Sequence, residues 1–125
     1  MKFDPIKNDK SCANLIENEE TEELYSWLSR GDGVERTLGE HASQNDTEAF
    51  AAELSMLGAE NVWVVDIERA TEEYRQENSG LIVVALSENE HERRSLLEFG
   101  NDISVRQGFD EVPDCGQKYL LFKLD

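Results

Sequence analysis

Val62-Trp63-Val64-Val65-Asp66-Ile67 and Leu81-Ile82-Val83-Val84-Ala85-Leu86 flank ERATEEYRQENSG at residues 68–80, and the reading of that middle segment decides the fold. Both flanks are short, rich in β-branched residues and apolar at odd and even positions alike, the pattern of strands covered on both faces. If the middle is an excursion between hairpin strands, the strands are antiparallel. If it is a helix, they are parallel and the unit is a βαβ crossover. Such a helix would bury little besides Ala70 and Tyr74, so the hairpin is expected and an α/β fold with a parallel crossover is the alternative.

On the C-terminal side, Ser87 and Glu90 make a capping-box pair, and Leu96, Phe99 and Ile103 recur at helical spacing until Gly108, which predicts a helix over 88–107. Gly100 lies inside it at a cost of about 1 kcal/mol relative to Ala. Phe109 is placed to supply the apolar contact of a Schellman ending. Pro113 to Gly116 reads as a loop and Tyr119 to Leu124 as a final strand.

On the N-terminal side, Asn45 and Glu48 precede Phe50, Leu54, Leu57 and Gly58, which predicts a capped helix over 46–57. Val34 to His41, after the Gly31-Asp32-Gly33 turn, reads as a short edge strand. ENEETEELYSWL, residues 17–28, reads as a helix with Leu24, Trp27 and Leu28 on its apolar side. Residues 1–16, with Pro5 and little periodicity, read as an arm whose order depends on docking.

A chain of 125 residues is the size of one domain, so 1–125 is read as a single unit. The element order predicts an α+β fold, a two-layer sandwich of a mostly antiparallel sheet with helices on one face and an added N-terminal helix. In element order it resembles ferredoxin-like sandwiches. Strand alternation sends Trp63, Val65 and Ile67 to one face and Val62 and Val64 to the other, so the second face needs cover. The N-terminal helix, through Leu24, Trp27 and Leu28, is the expected cover, and a homodimer the next choice.

Twelve basic residues against 28 acidic ones give a net charge of −16, which repels nucleic acid and anionic membranes and leaves three readings, a basic protein partner, a cation, or bulk water, the last being the usual reason for an acidic surface. Met1 to Pro5 lack the apolar stretch of a signal peptide and no run is long enough to span a bilayer, so a cytoplasmic location is expected. Cys12 and Cys115 show no zinc or redox spacing and read as free thiols; pairing them would require Cα atoms within about 7 Å.

Glu17, Glu19, Glu20, Glu22 and Glu23 place five carboxylates within seven residues, a candidate surface for a basic partner. A solvated helix start explains them without a partner and is the stronger reading, since the macrodipole favours acids there by roughly 0.3 to 1 kcal/mol each. His41 beside Glu40, and His91 among Glu88, Glu90 and Glu92, lack metal-ligand spacing. Asp110, Glu111 and Asp114 do not form a calcium loop, no glycine-rich phosphate loop occurs, and acids around Cys115 work against a thiolate. Arg30-Gly31-Asp32 reads as a helix end and turn. No catalytic set, metal or cofactor is expected.

These readings point to a cytoplasmic, non-enzymatic protein-interaction or regulatory domain, monomeric or homodimeric, in its sharpest form an acidic inhibitor or immunity-like protein. The alternatives are a small enzyme or ligand-binding protein whose site is assembled only in the fold, and a structural homo-oligomer subunit. In acidity and element order the chain also resembles the small acidic inhibitors of the bacterial ribonuclease RNase E. That resemblance implies an inhibitory role and assigns no residues.

Overall fold

The structure is a computed structural model that describes residues 3–125; the first two residues of the expected arm lie outside the described residues. In chain order the elements are α1 (Pro5–Ile16), β1 (Glu22–Glu23), α2 (Leu24–Leu28), β2 (Glu35–Leu38), α3 (Gln44–Met56), β3 (Val62–Val65), β4 (Gln76–Ser79), β5 (Leu81–Ala85), α4 (Glu90–Arg106) and β6 (Tyr119–Lys123). The fold is α+β. β3 and β5 pair antiparallel, Trp63 opposite Val83, so the hairpin is found and the parallel crossover is not. The excursion between them carries β4, which pairs in parallel with β2 in a separate two-stranded sheet.

The main sheet runs β1-β3-β5-β6, antiparallel throughout. Its strands lie in chain order with the first at an edge, whereas a ferredoxin-like order needs the first strand inside. One face carries Val62, Val64, Ile82, Val84, Leu120 and Phe122 into a core with Leu24, Trp27 and Leu28 of α2, Leu54 of α3 and Leu96 of α4. Gly100 of α4 sits where a Cβ would come within 2.8 Å of the Phe122 ring and 2.9 Å of Leu120, so the helix lies closer to the sheet than any side chain there permits.

The opposite face is also covered, which makes three layers instead of the expected two. The cover is α1, not Leu24, Trp27 and Leu28: Cys12, Leu15 and Ile16 pack on Val65, Val83, Trp63, Leu81, Tyr119 and Leu121. Asp4 caps α1 by accepting the Ile6 and Lys7 amides, with Pro5 in the first turn where its missing N–H costs nothing. The docked end is held to β6, where the Asp9 carboxylate accepts the Lys118 and Tyr119 amides and Asn8 donates to the Tyr119 carbonyl at 2.8 Å.

Three further expectations need correction. Residues 17–28 are not one helix: only Leu24–Leu28 is helical, and Glu22–Glu23 pairs with β3. Acids three and four apart repel on a helix, whereas here Glu20 and Glu22 reach Arg69. Ile67 does not share a face with Val65, because Asp66 takes a left-handed φ of 53° and turns Ile67 into the first core. The caps lie elsewhere too. Ser43, extended, accepts the Asp46 amide ahead of α3; Asn89 accepts the Glu92 amide ahead of α4, while Ser87 donates to the Glu92 carboxylate. Gly108 ends α4 as expected, with Phe109 N–H donating to Ser104 C=O in the Schellman pattern.

Candidate functional site

The turn between β2 and α3 is pressed against the end of β6. A Cβ on Gly39 would lie 2.5 Å from the Leu124 carbonyl oxygen, and its φ of +53° is one that side chains disfavour, so glycine is required for this approach. The turn delivers His41 to the side of α3. Thr47 Oγ1 accepts the Leu38 amide at 3.0 Å and is hydrogen-bonded to His41 Nδ1 at 2.9 Å. Burial lowers the His41 pKa from its ordinary value and Asp46 opposes this without reversing it, so the imidazole is neutral at neutral pH.

His41 stands edge-on to Phe50, with ring centres 5.4 Å apart. Phe50 of α3 stacks on Phe99 of α4 at 5.7 Å and 29°, and Phe99 leans on buried Phe122. Above these rings lies a cavity of about 320 Å³, with Leu38, Ile103 and Leu124 completing its apolar floor and Glu40, His41, Glu53, Arg106 and Gln107 supplying its polar rim. A shallower concavity of about 780 Å³ continues along α3 past Asp46, Ala49, Ala52, Met56 and Leu57. His41, Phe50 and Glu53 line both, so the two form one groove. Met56 projects beside it, 87% exposed.

Comparison with family models, curated proteins and solved structures returns no match.

The acidic segment is not one surface. Glu17 and Glu19 are exposed, whereas Glu20 and Glu22 accept from Arg69 at 2.6 and 2.5 Å, Glu22 also pairs with Arg30, and Glu23 caps α2 through the Ser26 amide. His91 is exposed in the first turn of α4, away from the groove, and the two histidines share no site. Cys12 is buried against the sheet, its thiol pushed up to about 11 by burial and by Asp9; Cys115 is exposed, and both are free. Asp114 is tied to Arg93, which holds its carboxyl below the usual range. Among the described residues no three potential ligands gather to hold a metal ion.

A second polar centre is closed. Arg36 donates to Glu77 at 3.1 Å and, with both terminal nitrogens, to Asp32 at 2.8 Å; Trp27 Nε1 and the Ala70 amide also donate to Glu77. Burial pushes the Glu77 carboxyl up, but the bonds from Trp27 and Ala70 with the charges of Arg36 and Arg69 outweigh it, so its pKa lies below the ordinary value. Every buried polar side-chain atom among the described residues has a partner, and these bonds account for the burial of Arg36 and Glu77 inside the fold. Sequence reasoning placed Phe50 and Phe99 on helix stripes and passed over Arg106 and Gln107. The polarity of Glu35-Arg36-Thr37 within a strand was the available sign of the buried network.

Proposed function

We propose that this chain is a non-enzymatic protein-interaction or regulatory domain that binds a basic partner through the groove along α3. The observation that carries this reading is the continuity of the two concavities around Phe50, whose combined lining holds three carboxylates, Glu40, Asp46 and Glu53, and one guanidinium, Arg106. Such a groove offers apolar area for affinity and an acidic rim for orientation and encounter. Exposed Met56 adds an adaptable apolar contact. The net charge of −16 favours an inhibitor or immunity-like role, and two free cysteines suit a cytoplasmic setting. Cover of the second sheet face by α1 favours a monomer.

A small-ligand or enzymatic reading is favoured by the half-buried neutral His41 at the cavity. It is the weaker reading, because Nδ1 is bound to Thr47 and no carboxylate hydrogen-bonds the ring among the described residues.

Carbodiimide joins carboxylates directly to neighbouring amines and so reads out which acids touch a partner. A basic protein captured at low salt, released as salt rises, and cross-linked through Glu40, Asp46 or Glu53 is the expected result. Cross-links through Glu17 and Glu19, or spread over the surface, would contradict it.

A further inference from the structure

We infer that the cavity between α3 and α4 receives an arginine side chain of the partner, an inference that rests on the groove reading. Three features fit a guanidinium. Phe50 and Phe99, stacked on one another, line the cavity with Leu38, Ile103 and Leu124, an apolar lining that suits the methylene stem of a long side chain, and a weakly hydrated guanidinium leaves water for such a site more readily than a compact ammonium does. Glu40 and Glu53 line the same cavity, and neither forms an ion pair among the described residues, so both carboxylates are available to accept N–H donors. The histidine wall is uncharged, with Thr47 holding Nδ1, and so does not repel a cation.

Arg106, at the end of α4, lines the same cavity and donates through Nε to the Asp102 carbonyl at 3.2 Å. Because Glu40 and Glu53 come from the turn before α3 and from α3 itself, repulsion from Arg106 favours a seat for the incoming cation on the α3 side. An apolar anchor would leave these carboxylates unused. A free diamine would lack the planar fork of N–H donors that two carboxylates can accept.

The test is a nuclear magnetic resonance titration of the ¹⁵N-labelled full-length chain with N-acetyl-arginine amide. For a fragment of that size, saturation is expected with a dissociation constant of about 1 mM. Amide shifts should centre on His41, Phe50, Glu53 and Phe99. The uncharged citrulline analogue should leave these signals in place, and N-acetyl-lysine amide and putrescine should bind more weakly than arginine. Glu40→Gln and Glu53→Gln should each weaken arginine binding by about 2- to 5-fold, the range of an exposed ion pair. Equal shifts with citrulline, tighter binding of putrescine, shifts spread to Glu17 and Glu19, or no saturation by about 10 mM would overturn the inference. Groove cross-links without arginine binding would remove the anchor and leave the groove; arginine binding without groove cross-links would do the reverse.

Discussion

Arg36 keeps a permanent charge at 1% exposure, and the fold answers it with Glu77 and Asp32, tied in turn to Trp27 and Arg69. Removing one member of such a pair strands the other, so Arg36→Met should destabilise by about 3 to 5 kcal/mol in urea denaturation. Adding Glu77→Gln should recover part of that loss; strictly additive costs would show that the two side chains are not coupled. His41 presents the converse case, a group held neutral. Its folded pKa lies below the ordinary 6.5, so as pH falls through that value the unfolded chain takes up the proton first and stability drops. Asp32, held low chiefly by Arg36, and Glu77 add losses of the same sign at more acid pH, as pH falls through their folded values. Unfolding measured between pH 7 and 5.5 should therefore show a decline that His41→Gln flattens. An unchanged decline in that variant would place its origin elsewhere.

At the level of elements, legibility followed the local strength of the signal. α3 and α4 were readable from apolar residues at helical spacing between capping residues and a closing glycine, and β3, β5 and β6 from short continuous apolar runs. The caps themselves shifted by a few residues, since Ser43 and Asn89 compete with equally suitable neighbours and the backbone conformation chooses between them. α1 was hidden because its stripe is short and its stability comes from contacts with residues more than a hundred positions away, at Lys118 and Tyr119. The acid run at 17–23 misled for the opposite reason: composition favoured a helix start, but the partners of Glu20 and Glu22 lie on Arg69, across the fold. Deleting residues 1–17 should uncover Val65 and Val83 with their neighbours and produce dimers or aggregates by light scattering. A truncated chain that stays monomeric and equally stable would show that α1 does not provide the cover.

For the molecule as a whole, the acid surplus is partly spent inside the fold, and what distinguishes the groove from the remaining acidic surface is its apolar lining by Leu38, Phe50, Phe99, Ile103 and Leu124. No run of sequence announces that site, because its members come from the turn before α3, from α3, from the end of α4 and from Leu124. Long-range attraction acts from everywhere on a chain this acidic, whereas contact acts only where the partner sits. The two are separated by charge-matched reversals. Glu40→Lys with Glu53→Lys, and Glu17→Lys with Glu19→Lys, each change the charge by 2 × 2 = 4, from −16 to −12. All four side chains are exposed and form no ion pair among the described residues, so both variants should fold. The measurement is the affinity of each variant for the captured basic partner at physiological salt, where the Debye length is about 8 Å. A loss of more than about 10-fold for the Glu40 and Glu53 pair, with the Glu17 and Glu19 pair within about 2-fold of the parent, is the expected result, since tenfold corresponds to about 1.4 kcal/mol of lost contact. Equal losses, or a larger loss at Glu17 and Glu19, would contradict the assignment of the groove.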